Sequence, residues 1–107
     1  MSNLSQLKPQ SLWENFSKIC SIPHPSKHEE KIVAYLMEWA KKYNISVKKD
    51  KIGNLIFKKP ATKGMENRKG VILQGHIDMV PQKNSNKVHD FTKDPIETII
   101  GDDGWVR

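Results

Sequence analysis

Cysteine is nearly absent from this sequence. Cys20 is the only one in 107 residues, so no disulfide can form within the chain. It falls in an apolar pattern with Phe16 and Ile19, which points to packing rather than to a reactive thiol. Arginine is scarce as well. Of 18 basic residues, set against 12 acidic ones, only Arg68 and Arg107 are arginine and the rest are lysine. The net charge of +6 would by itself suggest nucleic acid as a partner. Bidentate recognition of bases and phosphates rests largely on arginine, however. A solvated lysine surface is therefore the preferred reading, and a small basic nucleic-acid-binding module without catalysis is the alternative. No run approaches the ~18 consecutive apolar residues of a membrane span. The opening Met1-Ser2-Asn3-Leu4-Ser5-Gln6 lacks the charged-then-apolar plan of a signal peptide. The expected compartment is the cytoplasm, with neither membrane nor nucleic acid as a partner. Internal repeats, low-complexity tracts and the Cys/His spacing of a structural zinc motif are also missing.

What is present is a sequence of recognisable elements. Ser11 to Cys20 places Leu12, Phe16, Ile19 and Cys20 at helical spacing, with Ser11 and Glu14 as a capping box. Two prolines in Ile22-Pro23-His24-Pro25 end that helix. Ser26 with Glu29 reads as a second capping box, opening a helix whose stripe is Ile32, Val33, Leu36, Met37, Ala40 and Tyr43. Lys31, Glu38, Lys41 and Lys42 face water on that reading, and Asn44 is a left-handed stop. Alternation from Ile45 to Lys48, a turn at Gly53-Asn54 and a return through Leu55-Ile56-Phe57 read as paired strands. The cluster Lys48, Lys49, Lys51, Lys58 and Lys59 fits an exposed hairpin. Pro60 to Lys69 reads as a loop, and Gly70 to Gly75 as a short strand buried on both faces of a sheet. After a polar loop, Glu97 to Ile100, Gly101-Asp102-Asp103-Gly104 and Trp105 to Arg107 read as a hairpin. The fold class expected is α/β, with helices packed on a mixed β-sheet, in one domain at most.

Chemistry concentrates in Gly75-His76-Ile77-Asp78-Met79-Val80-Pro81. Active sites of open α/β sheets form beyond the carboxyl ends of strands, where this His-x-Asp would sit. In extended backbone, residues i and i+2 point to the same side, so the imidazole and the carboxylate can converge. A histidine nitrogen that coordinates a metal commonly has its other N–H held by a carboxylate. Direct ligation by Asp78 is the weaker variant. A chance pair with no function remains the opposing reading, since His-x-Asp alone is common. His24, His28 and His89 are read as bystanders, and Asp90 and Asp94 as solvated loop carboxylates.

Four stretches together resemble one family. They are Gly75 to Lys83, Ile22 to Glu30, Lys51-Ile52-Gly53-Asn54-Leu55, and His89 to Ile96. They are similar to the aminoacyl-histidine dipeptidases, a branch of the larger group of M20-type zinc aminopeptidases and carboxypeptidases. The Met79-Val80-Pro81-Gln82 continuation favours that branch, because relatives elsewhere in the group often carry threonine after the motif aspartate. The resemblance implies a cytoplasmic homodimeric enzyme that hydrolyses dipeptides with C-terminal histidine. It implies two zinc ions, or other divalent metals, in the catalytic domain. His76 would be a metal ligand, and Asp78 would hold its ring as part of the catalytic machinery. It also implies that residues 1–107 form the N-terminal portion of a single, incomplete catalytic domain. The remaining ligands and the general-base glutamate of the family follow the equivalent of Arg107, and negligible activity is expected of these residues alone.

Overall fold

In the structure, a computed structural model, residues 3–107 are described. A 3₁₀ turn, Leu4–Gln6, precedes helix α1 (Gln10–Ser21), helix α2 (Glu30–Lys42) and strands β1 (Ser46–Lys49) and β2 (Leu55–Lys58). These residues fall into two compact units. One combines the chain up to Ile32 with Asp78–Arg107, and the other is Val33–Ile77.

In the first unit the 3₁₀ turn is capped by Asn3, whose side chain accepts the Ser5 N–H at 3.2 Å. It packs on α1 and buries Leu4. Helix α1 begins at Gln10 behind Pro9 with no side-chain cap, so the expected cap at Ser11 is corrected. Proline already holds the φ that a helix entrance needs, and the helix starts before Ser11 can serve. Of the expected apolar stripe, Cys20 is buried, while Leu12 and Phe16 are 54% and 42% exposed. Burial pushes the Cys20 thiol pKa up, in keeping with a packing role. The end of α1 holds the later loop in place, because the Cys20 carbonyl accepts the Ile96 N–H at 2.9 Å.

The expected final hairpin forms. Ile99 and Arg107 exchange main-chain hydrogen bonds, Ile100 bridges Val106, and Gly104 takes φ +82° at the turn. Asp103 closes it by accepting from the Trp105 N–H and the Arg107 guanidinium.

Helix α2 carries its expected stripe except at Tyr43, which lies past the end of the helix at Lys42 and is 52% exposed. Ile32 and Ala40 are buried and Val33, Leu36 and Met37 half-buried, whereas Lys31, Glu38, Lys41 and Lys42 are exposed. Its stop is a Schellman motif: Ile45 N–H reaches the Ala40 carbonyl at 2.8 Å and Asn44 N–H the Lys41 carbonyl at 3.1 Å. Asn44 supplies the required left-handed residue at φ +54°. The start of α2 departs from expectation. It lies at Glu30, four residues past Ser26, after Lys27 at φ +76°.

The second unit closes with β1 and β2 paired antiparallel, Val47 opposite Phe57 and Lys49 opposite Leu55. That face carries the half-buried Val47 and Leu55, while Ile56 lies with Lys48 on the water side. At the turn, the Asp50 carboxylate accepts the Ile52 and Asn54 N–H groups and the Asn54 amide. These bonds, led by the Asn54 side chain, hold the Asp50 pKa below its usual range. The lysine cluster is exposed as expected.

The α/β class is thus observed, with helices and a small antiparallel sheet. One expected strand is not. Gly70 to Gly75 pairs with nothing among the described residues, and Val71, Ile72 and Leu73 are 82%, 94% and 92% exposed. A strand needs neighbours to bond its backbone and cover its faces, and no described segment provides them.

Two outcomes follow for stability. Ile32 is 2% exposed, so Ile32→Ala should cost about 2–4 kcal/mol in urea unfolding, and Leu12→Ala well under half as much. A depressed carboxylate pKa contributes stability that is complete above the unfolded pKa and lost as pH falls through the folded one. Amide protection of Ile52 and Asn54 should therefore decline in that acid window, and Asp50→Asn should remove most of the dependence.

Candidate active site

The residues singled out by the sequence lie around one short pairing. Met79 inserts beside the segment that leads into α2, forming a parallel bridge with Pro25. Its N–H donates to the His24 carbonyl at 3.0 Å, and its own carbonyl accepts the Ser26 N–H at 3.0 Å. Proline can sit at the bridge because it is the flanking residues that supply the donor and the acceptor. The proline-rich segment that ends α1 thereby becomes the strand-like partner of the motif.

This pairing brings Ser26 onto Asp78. The Ser26 hydroxyl lies 2.6 Å from Asp78 Oδ2 and 3.4 Å from the Met79 carbonyl. A hydroxyl has one proton to give. The short distance and the charge of the acceptor direct it to the carboxylate. Both side chains are half-buried, where such a bond is screened less than at the surface. Ser26 is the residue the sequence reading missed in this role, having assigned it to a helix cap. The only available signal was its place in the Ile22 to Glu30 stretch, one of the four that carried the resemblance.

His24 is buried beneath the same pairing, with Nδ1 2.5 Å from the Ile22 carbonyl. Its ring is thus engaged by its own chain. His76 is exposed and lies two residues before Asp78. His28 is exposed, and His89 stacks edge-on against Phe91 at 4.9 Å. Asp90 and Asp94 close their own loop. Asp90 accepts from the Thr92 N–H and hydroxyl, and Asp94 accepts the Asp90 N–H at 2.7 Å. The Thr92 bonds hold the Asp90 pKa down. An open hollow lined by Leu4, Glu14, Lys18 and Ser21 among others includes neither His76 nor Asp78, and its one acid and one lysine do not make a reactive set.

A catalytic zinc takes about three protein ligands and a water. Among the described residues no group of three or more His, Cys, Asp or Glu side chains could hold a metal ion. Residues 3–107 therefore do not make a zinc site by themselves. His76 and Asp78 have the chemistry of part of one, an imidazole and a carboxylate to support it.

Comparison with known proteins shows what the chain is similar to. The chain is 61% identical, over all 107 residues, to the cytosol non-specific dipeptidase of Escherichia coli (strain K12), of which it spans 22%. A crystal structure of aminoacylhistidine dipeptidase from Vibrio alginolyticus matches 98% of the chain at 57% identity and a TM-score of 0.90. The chain resembles the dipeptidases from end to end. The resemblance drawn from four short stretches is thereby borne out, and the fold agrees with that of the solved dipeptidase over the matched region. No family model matches the chain. The chain spans about a fifth of the length of these dipeptidases.

The pairing gives a measurable signature. Met79 and Ser26 lie outside β1 and β2, yet their N–H groups are bonded to main chain. Their amides should exchange with deuterium at least ~10-fold more slowly than those of Val71 to Leu73 in the 107-residue chain. Equal rates would mean that the pairing does not persist in solution.

Proposed function

We propose that these residues are the N-terminal portion of a single metallopeptidase catalytic domain, and that the whole protein is a zinc-dependent dipeptidase acting in the cytoplasm. The observation that carries this reading is identity of 61% and 57% to two proteins named as dipeptidases, sustained along essentially the whole chain. The first of them is named as a cytosol enzyme, and no helix among the described residues is long and apolar enough to cross a membrane.

In this reading His76 supplies one ligand to a two-zinc centre, and Asp78 accepts the other ring N–H of His76. Bound zinc supplies polarisation of the scissile carbonyl and a lowered pKa for the attacking water. What this chain's own residues do is narrower. Asp78 fixes the tautomer and direction of the His76 ring and raises its basicity. The proposal assigns the remaining ligands and the general-base glutamate to residues beyond these 107, and takes the working enzyme to be a homodimer.

Substrate choice is a separate matter. One relative is named for aminoacylhistidine substrates and the other as non-specific. The motif continuation Met79-Val80-Pro81-Gln82 supports the first, so dipeptides with C-terminal histidine are the proposed substrates.

The test is a dipeptidase assay on the whole protein that carries these residues. Hydrolysis of Xaa-His dipeptides should vanish on chelation and return with zinc. His76→Ala should lower kcat/KM on the order of 100-fold or more. Full activity in that variant would remove His76 from the metal centre. A preference below about tenfold over dipeptides lacking histidine would discard the specificity while keeping the reaction class. The 107 residues alone should show negligible hydrolysis, and His76-dependent turnover by them would overturn the partial-site reading.

A further inference from the structure

We propose that Ser26 is a positioning residue for the Asp78 carboxylate, and through it for the metal centre. The inference rests on the dipeptidase reading above but concerns a residue to which that reading gives no role. Three observations carry it. The Ser26 hydroxyl lies 2.6 Å from Asp78 Oδ2 across 52 residues of sequence. Main-chain bonds on both sides fix the two partners in register: Ser26 N–H to the Met79 carbonyl, and Met79 N–H to the His24 carbonyl. The helix cap that Ser26 would otherwise serve does not form, because α2 begins at Glu30.

A carboxylate on a two-carbon side chain turns about χ1 and χ2, and χ2 is a broad, weakly defined torsion. A carboxylate that must accept an imidazole N–H in one direction gains from a second donor that removes this freedom. Ser26 is such a donor. It binds one oxygen of Asp78, and its own main chain is bonded to the residue next to Asp78, so donor and acceptor move together. Support of this kind acts before any substrate arrives, and it affects how firmly a ligand histidine is held.

The experiment uses the whole enzyme, with zinc affinity measured by competition against a chelator alongside kcat and KM. Ser26→Ala should weaken zinc affinity by about 10–100-fold and lower kcat by a similar factor, with KM little changed. Ser26→Thr, which keeps the hydroxyl, should recover most of both. Should Ser26→Ala fail to fold, Ser26→Cys provides the same comparison, since it preserves size but donates weakly. A purely structural serine would lower thermal stability and leave the zinc affinity of the folded enzyme unchanged, and that result overturns the proposal. Wild-type zinc affinity and kcat in Ser26→Ala, with His76→Ala inactive, would overturn it while leaving the dipeptidase reading intact. An unaltered protein that neither binds zinc nor cleaves dipeptides would overturn the dipeptidase reading and this inference with it.

Discussion

Met79 paired with the His24–Ser26 segment is the contact on which the candidate site depends. Two main-chain hydrogen bonds and one side-chain bond join stretches of chain more than fifty residues apart. Closing such a loop costs entropy that grows slowly with its length, and a few bonds in a half-buried place can offset part of it. The pairing gives the proline-rich segment between α1 and α2 its partner. It also delays the start of α2 to Glu30. Without it Ser26 would be an ordinary surface hydroxyl, and Asp78 would lack its 2.6 Å donor.

The buried set among the described residues is small. Leu4, Cys20, Ile32 and Ala40 are its hydrophobic members, whereas Val71, Ile72, Leu73 and Val88 are almost fully exposed. An apolar strand sequence left open in this way is what a sheet interior looks like when its neighbouring strands are not among the residues described. Metal-ligating chemistry is likewise sparse among the described residues. His76 and Asp78 provide an imidazole and a carboxylate, whereas a zinc centre asks for a group of ligands gathered from several places.

Surface charge plays a secondary part. The ion pairs Lys41–Glu38 and Lys87–Glu97 are exposed and contribute little individually. The lysines of the β1–β2 hairpin face water, in accord with a solvated basic surface. Three of the carboxylates with depressed pKa values, Asp50, Asp90 and Asp103, owe them chiefly to hydrogen bonds from their own turns, whereas Glu97 owes its to Lys87. The three aspartates are devices for closing loops.

Sequence alone determined what depends on near neighbours along the chain. The stripe of α2 up to Ala40, the left-handed stop at Asn44, the β1–β2 hairpin and the Gly101 to Gly104 turn were all legible, because helical and strand periods and turn chemistry are set within a few residues. The dipeptidase resemblance was legible too, since runs of adjacent residues carry it. The caps at Ser11 and Ser26 were misread for the complementary reason. A serine before a helix looks like a cap until something else claims its place, and the claimants were Pro9 at the first helix and Asp78 with Met79 at the second. The Gly70 to Gly75 run was apolar enough to read as a buried strand, but burial is a property of partners rather than of the run. Only the tertiary structure could bring Ser26 to Asp78, because no pattern in sequence encodes a hydrogen bond between side chains 52 residues apart.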